Sequence, residues 1–207
     1  MKLFKLALLM LVPFVFMPNA NAAQLQEGAT HLAITPAQPT SADEGMIEVI
    51  EIFSYGCSHC HRFEPILERW LKTKPANVKF VQLPAIFNGT LAMYARAFYA
   101  AEALGVLDKI HTPFFEAIHL QKRRMNTETE IAALFAEHGV DQKKFEKAFR
   151  SFAVEAKVRR AAELGKRYGV QATPSMVVNG KYITDPGKTN GFQGMISVVN
   201  DLVKQES

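Results

Sequence analysis

Apolar residues in the first half of this 207-residue chain fall into short segments that predict alternating strands and helices. The segment Met46–Phe53 is almost entirely apolar and rich in β-branched residues, which is typical of a central strand covered on both faces. A helical pattern follows from Ser58 to about Lys74, and Pro65 within it predicts a kink. The segment Val78–Leu83 predicts a second strand.

From Asn88 to about Arg160 the chain is rich in alanine, and its apolar residues recur with a helical period. Breaks are predicted at Gly105, Pro113, Gly139 and Asp141. The pattern predicts helices over Leu91–Leu104, Pro113–Lys122, Thr127–His138 and Gln142–Phe152, the last leading into a long helix from Ala153 to Tyr168. Thr127 and Glu130 have the spacing of a capping box at the start of the third helix.

The C-terminal part contains two short apolar segments, Ser175–Val178 and Lys181–Thr184, joined by Asn179-Gly180. The Asn-Gly pair is the strongest short signal for a tight turn, so these segments predict a β-hairpin. A final helix is predicted over about Phe192–Lys204. By contrast, residues 23–44 carry two prolines and little periodicity, and no element is predicted there.

The N-terminus has the pattern of a secretory signal. Lys2 and Lys5 precede an apolar run from Leu6 to Met17, and Ala20-Asn21-Ala22 matches the small-x-small site of a signal peptidase. The run is about 12 residues long, which is too short to span a membrane comfortably. Residues 1–22 are therefore predicted to be a cleavable signal peptide that takes the protein out of the cytoplasm.

The charge balance argues against a nucleic-acid-binding surface, because 24 basic residues face 20 acidic ones and two of the lysines belong to the signal. The run Lys122-Arg123-Arg124 is interpreted as a solvated surface. The chain contains only two cysteines, Cys57 and Cys60, although disulfides persist outside the cytoplasm. An exported protein with one closely spaced pair is expected to use that pair chemically.

Cys57 and Cys60 form a CxxC motif directly after the first predicted strand and at the start of a predicted helix. Unpaired N–H groups and the helix dipole stabilise negative charge at this position. The thiolate is the nucleophile in disulfide exchange, so this placement favours fast redox chemistry. A structural disulfide closing so short a loop would contribute only roughly 2 kcal/mol.

Two other chemistries fit the same residues. The run Cys57-Ser58-His59-Cys60-His61 matches the C-x-x-C-H attachment signature of c-type haem. Two cysteines and two histidines also supply ligand types for zinc or copper, although neighbouring residues of a helix point in different directions. A chaperone-like binding module with incidental thiols is a further alternative.

With the alanine-rich helices left out, the predicted order is βαβ–α–ββα. This order resembles the thioredoxin fold interrupted by a helical insertion, as in the DsbA family of periplasmic thiol oxidases. The resemblance is carried by Glu51–Cys60, by the helical part and by Gly169–Pro174, and it covers essentially the whole mature chain. It implies an α/β, thioredoxin-like fold, with residues 23–86 and 159–207 in one discontinuous domain and residues 87–158 as an inserted helical domain.

The resemblance also implies roles for individual residues. Cys57 would be the exposed nucleophile and Cys60 its buried partner, and their disulfide would pass to substrates through a mixed disulfide. His59 corresponds to the histidine of the family's CPHC motif and would donate a hydrogen bond or positive charge to the Cys57 sulfur. Thr173 and Pro174 would form a cis-proline element opposite the cysteines, and the Thr173 hydroxyl can reach the same sulfur.

Several neighbouring positions complete the predicted site. Ser58 replaces the family's usual proline, and Thr173 replaces the valine of some strong oxidases, so a disulfide reductase or isomerase on the same fold remains an alternative. Glu51 is interpreted either as a buried proton shuttle to Cys60 or as a paired structural acid. Glu64 is predicted to lie on a solvated helix face. Candidates for an apolar substrate surface are Tyr55, Phe63, Phe87, Val170 and Met176, although each of them taken singly is more typical of a core residue. No role is assigned to His111, His119 or His138.

The resemblance implies the following partners. Substrates would be unfolded or folding exported proteins with reduced cysteines, and the reoxidant would be a quinone-linked inner-membrane protein of the DsbB type. Neither a cofactor nor a metal is implied. The mature protein would act in the periplasm, would not bind nucleic acid and would not be an integral membrane protein.

Overall fold

The computed structural model describes residues 25–207, so the predicted signal peptide lies outside the described residues. Within this range the core is a five-stranded sheet with the strand order β1-β5-β4-β2-β3. The strands are β1 Leu32–Ala33, β2 Ile47–Phe53, β3 Val78–Pro84, β4 Ser175–Val178 and β5 Tyr182–Thr184. Both strands predicted in the first half are present, as is the C-terminal hairpin.

Strand β2 lies between β3, to which it is parallel, and β4, to which it is antiparallel. All seven of its residues are buried, which confirms the prediction of a central strand covered on both faces. The hairpin turn places Asn179 and Gly180 at φ values of 51° and 64°. A Cβ on Gly180 would lie 2.1 Å from the carbonyl oxygen of Gln38, so the N-terminal segment packs directly on this turn.

Seven helices surround the sheet in the described part of the chain. They are α1 Ser58–Thr73, α2 Gly89–Ala103, α3 Leu107–His119, α4 Glu128–Glu137, α5 Gln142–Phe149, α6 Phe152–Arg167 and α7 Phe192–Glu206. One cluster of buried residues packs α1 and α7 against part of the sheet. The other cluster packs the helices from α2 through α6 against the remaining buried residues of the sheet. The division into residues 23–86 with 159–207 and residues 87–158 stays a prediction, since α6 continues through residue 158.

The helix predicted to begin at Pro113 begins instead at Leu107 and ends at His119. Ile110, Phe114 and Phe115 are buried on both sides of the proline, so tertiary packing stabilises the helix through it. The capping box of α4 is confirmed, because Thr127 and Glu130 each accept a hydrogen bond from the backbone of the other.

Strand β1 was not predicted. It is only two residues long and pairs Leu32 with Ile183 of β5, too short a segment to show a period. None of the helices within residues 25–207 combines the length and the apolarity that a bilayer crossing requires.

Candidate active site

The two cysteines sit where β2 gives way to α1. The backbone N–H of Cys57 donates to the carbonyl of Ser54 at 3.0 Å, and Cys57 then caps the helix. Its sulfur accepts a hydrogen bond from the backbone N–H of Cys60 at 3.3 Å. The first turn of α1 carries no acidic side chain that would offset the positive end of the helix dipole.

The environments of the two thiols differ sharply. Cys57 is half-buried, whereas Cys60 has no exposed surface. A hydrogen bond from the Cys60 side chain is the largest influence that lowers the pKa of Cys57, from an ordinary value of 9.0 to about 5. Burial opposes this shift, while the Thr173 side chain and the backbone N–H groups of Cys60 and His59 add to it. Burial, reinforced by Cys57, raises the pKa of Cys60 far above its usual range. At neutral pH, Cys57 is therefore the thiolate and Cys60 the thiol.

The backbone N–H of His59, and not its ring, is among the groups that lower the pKa of Cys57. Its imidazole is exposed and lies edge-on to Phe192, with 6.4 Å between ring centroids. Within residues 25–207, the hydrogen bonds of the Cys57 sulfur join it to the Cys60 N–H and the Thr173 carbonyl, not to this imidazole. The predicted role of the His59 ring stays a prediction.

The ring of His61 contacts different residues from the ring of His59. The His61 ring stacks on that of His119, 5.3 Å away, and also on Phe115. The two imidazoles of the motif thus contact different elements, as their helical spacing predicts. In the part of the chain that is described, no three His, Cys, Asp or Glu side chains converge as a metal site would require.

The Thr173-Pro174 segment lies directly opposite Cys57. Its peptide bond is cis, as the sequence resemblance implied, and the Thr173 carbonyl oxygen is 3.3 Å from the Cys57 sulfur. A groove of about 580 Å³ opens beside this contact. Its lining includes His59, Arg62, Thr173, Pro174, Pro186 and Phe192.

Of the five candidates for an apolar surface around Cys57, three lie in the core, the placement that was favoured for each residue taken singly. Tyr55, Phe63 and Met176 are at most 1% exposed and belong to the core. Phe87 is 53% exposed, and Val170 is partly exposed. Phe192 was not among the candidates, yet it lies in the groove because α7 begins there. Its place at the first position of a predicted helix was the only available signal.

A buried polar network lies behind the cysteines, between α1, β2, β3 and α3. The amide nitrogen of Gln82 donates to Oε2 of Glu51 at 2.9 Å and lies 3.2 Å from Nε2 of His111. The same Nε2 lies 3.3 Å from Oε2 of Glu64. Nδ1 of His111 is 2.9 Å from the hydroxyl of Tyr55. This network connects the strand before the cysteines to helix α3.

The carboxyl group of Glu51 is fully buried. Burial raises its pKa well above the ordinary value, nearby Glu64 raises it further, and the hydrogen bond from Gln82 partly opposes the shift. The negative charge of Glu51 in turn contributes to the raised pKa of Cys60. The prediction of a solvated Glu64 is wrong, because α3 brings His111 over it and leaves it only 9% exposed.

The sequence pattern indicates no role for His111 or His119, yet both contact the segment that carries the cysteines. Nε2 of His119 lies 2.8 Å from the backbone oxygen of Tyr55, two residues before Cys57. The positions of the two histidines on the apolar stripe of α3, beside Phe114 and Phe115, were the signal that could have revealed them.

A dithiol at a helix N-terminus, opposed by a cis-proline at the end of a thioredoxin-like sheet, defines the class of thiol:disulfide oxidoreductases. Residues 81–197 match the family model described as DSBA-like thioredoxin domain. The chain is 39% identical over 204 residues to the thiol:disulfide interchange protein DsbA of Burkholderia cepacia, covering 99% of this chain and 96% of that protein. The chain therefore belongs to the DsbA family.

Solved structures agree with this assignment. The crystal structure of Pseudomonas aeruginosa DsbA is similar with a TM-score of 0.82 and 37% identity, covering 86% of this chain and 93% of that one. The oxidoreductase DsbA from Xylella fastidiosa has a TM-score of 0.82 and 32% identity, with coverages of 88% and 97%. The prediction of an α/β, thioredoxin-like fold with an inserted helical domain is confirmed, and so is the enzyme class.

Proposed function

We propose that the protein donates its Cys57–Cys60 disulfide to folding exported proteins that carry reduced cysteines. The observation that carries this proposal is the opposed shift of the two thiols, with the pKa of Cys57 at about 5 and that of Cys60 raised by burial. A stabilised Cys57 thiolate favours the reduced form of the pair, and a stable reduced form makes the disulfide a strong oxidant.

The reaction proceeds in two exchanges. A substrate thiolate attacks the Cys57 sulfur, the Cys57–Cys60 bond breaks, and Cys60 leaves as a thiolate that takes up a proton. A second substrate thiolate then attacks the substrate sulfur of the mixed disulfide, and Cys57 leaves as a thiolate. Two electrons pass from the substrate dithiol to the enzyme, and one proton remains on Cys60.

Thr173 and Pro174 position the substrate during the first exchange. The Thr173 carbonyl already lies beside the Cys57 sulfur, so an extended substrate segment can pair with this backbone while its thiolate approaches. His59 contributes its backbone N–H to the sulfur, and its ring borders the groove together with Phe192. The groove then holds the apolar side chains that flank a substrate cysteine.

Glu51 serves as the proton donor to Cys60. Its carboxyl group is held protonated by burial, and its charge is coupled to that of Cys60. Cys60 has no exposed surface, so a buried donor is needed to protonate it as it leaves.

The working site is the periplasm, after removal of residues 1–22, with reoxidation by a quinone-linked inner-membrane protein of the DsbB type. The lysine-flanked apolar run and the small-x-small site at Ala20–Ala22 support export. Mass spectrometry of the exported protein should find Ala23 at its N-terminus, and retention of the first 22 residues would contradict this part of the proposal.

The equilibrium redox potential of the cysteine pair against glutathione tests the direction of the reaction. We expect a redox potential of about −120 mV, which is typical of a strong disulfide donor. A potential of about −270 mV would instead indicate a thioredoxin-like reductase. Intermediate values combined with reshuffling of a scrambled disulfide substrate would instead indicate an isomerase. The Cys57→Ser variant is the control, because it must lose all disulfide exchange in each case.

A further inference from the structure

His111 lies at the centre of the buried network although it belongs to α3, one of the inserted helices. It is 9% exposed and contacts groups from three other parts of the chain. Its Nδ1 faces the hydroxyl of Tyr55, whereas its Nε2 lies within 3.3 Å of both Gln82 and Glu64. Two possible partners at one ring nitrogen make the bonding of Nε2 depend on whether it carries a proton.

The available hydrogen-bond donors determine which partner Nε2 of His111 binds in each protonation state of the ring. The Gln82 amide has two N–H groups, of which one is donated to Glu51 and the other faces Nε2 of His111. A neutral ring with its proton on Nδ1 accepts from Gln82 at Nε2 and donates to Tyr55. A ring protonated on both nitrogens can only donate at Nε2, and the acceptor within reach is the Glu64 carboxylate.

The network has a route to solvent at His111 but not at Glu51. A cavity of about 230 Å³ is lined by His111, Gln82 and Glu64, and its rim carries further polar groups. Glu51 has no exposed surface and does not line this cavity. The titratable groups around His111 are Glu64 at Nε2, Tyr55 at Nδ1, Glu51 on the far side of the shared Gln82, and Glu68 and Asp108 in the lining of the same cavity.

A negative charge on Glu51 would be poorly compensated by the protein alone. Within the described residues, Oε1 of Glu51 and Oε1 of Glu64 are buried without a hydrogen-bond partner. An unpaired buried carboxylate is costly, so proton transfer from Glu51 to Cys60 needs a compensating positive charge nearby. His111 is the group that can supply this charge, since it shares Gln82 with Glu51 and borders the cavity.

We propose that His111 takes up a proton at Nε2 from the cavity when Glu51 passes its own proton to Cys60. The negative charge created on Glu51 is then balanced by an imidazolium that donates to Glu64. On reoxidation Cys60 returns its proton to Glu51, and His111 releases one proton to the cavity. His111 acts through Glu51 and touches neither sulfur, so it is a positioning residue. This inference rests on the proposed role of Glu51.

The test is the single-turnover reduction of the oxidised enzyme by a reduced dithiol peptide, followed between pH 5 and 8. We expect His111→Gln to slow this reaction roughly tenfold, which is less than the loss typical of a residue that itself transfers the proton to the reacting group. The substitution should also remove one ionisation from the pH dependence of the rate. Glu51→Gln should have a similar effect, and the double variant should be no slower than either single one. The matched control is His138→Gln, because His138 is exposed and distant in sequence from the network.

A second measurement distinguishes the loss of the imidazole ring from misfolding of the variant. The cavity beside residue 111 has room for a small ligand, so free imidazole should restore the rate of His111→Ala but not that of Glu51→Gln. Additive effects of the two substitutions, an unchanged pH profile or failure of imidazole rescue would overturn the inference. The wild-type redox potential, which decides the direction of the proposed function, is independent of all three outcomes.

Discussion

The sulfur of Cys57 and the carbonyl oxygen of Thr173 lie 3.3 Å apart, although 116 positions separate the two residues. This contact joins the N-terminus of α1 to the start of β4. It places the Cys57 sulfur beside the backbone that leads into β4. The site therefore combines the segment after β2 with the segment before β4, and both segments contact the Cys57 sulfur.

The first prediction concerns the titration of that sulfur. Reduced protein should develop thiolate absorbance in the ultraviolet with a midpoint of about pH 5. Cys60→Ala should move the midpoint upward, because the Cys60 side chain is the largest influence lowering the pKa of Cys57. Cys57→Ser should lose the transition altogether. A wild-type midpoint near 9 would contradict the proposed electrostatics.

The second prediction follows from linkage. The pKa of Cys57 is lowered on folding, so the unfolded reduced chain binds more protons than the folded one between about pH 5 and 9. The free energy of unfolding of the reduced protein, relative to the oxidised protein, should rise with pH across this window. The stabilisation is fully present above pH 9 and is lost as the pH falls through 5. Urea unfolding of both forms, monitored by the single tryptophan, Trp70, measures this difference.

Cys57→Ser cannot form the disulfide, so it is compared with the reduced wild-type protein. Its free energy of unfolding should lack the rise between pH 5 and 9 that the Cys57 thiolate gives to the reduced wild-type protein. A difference that stayed flat in the wild-type protein, or fell with pH, would show that the thiolate is not stabilised by the fold.

The third prediction concerns Glu51, whose pKa shift has the opposite sign. Burial raises its pKa, so the unfolded chain releases this proton at a lower pH than the native protein does. Glu51→Gln should therefore stabilise the protein above about pH 4.5, increasingly so as the pH rises toward neutrality, and have little effect below it. Thermal unfolding of the two proteins at acid and neutral pH gives the answer. Equal changes at both pH values would indicate a packing effect.

The fourth prediction concerns His59. His59→Ala keeps the backbone N–H that reaches the sulfur, so the pKa of Cys57 should change by less than about one unit. Thiolate titration of the variant checks this. A rise of two units or more would instead show that the imidazole stabilises the thiolate.

The fifth prediction compares two helical glycines. A Cβ on Gly194 of α7 would lie 1.5 Å from the Thr189 carbonyl oxygen, so Gly194→Ala should cost about 2 kcal/mol or more. Gly165 of α6 has open space around it, so Gly165→Ala should stabilise the protein by about 0.5–1 kcal/mol. Chemical denaturation of both variants tests this pair. Destabilisation by Gly165→Ala would contradict the described packing of α6.

The sequence predicted features that depend on local pattern. The continuous apolar, β-branched run of Met46–Phe53 revealed the central strand, and Asn179-Gly180 revealed the hairpin, because both signals lie within a few residues. The pairing of Glu64 with His111 could not be predicted in the same way. It depends on α3 crossing α1, and a solvated and a buried glutamate look alike in a helical pattern. Pro113 misled for the same reason, since distant packing determines where α3 begins.

The complete burial of Cys60 has a further consequence for the regiochemistry of the reaction. The two sulfurs of a disulfide are chemically alike, yet an incoming thiolate can approach only the one at Cys57. In the proposed reaction, every mixed disulfide would thus form at the same atom, beside Thr173. Substrates of unrelated sequence would therefore all enter the same groove in one orientation.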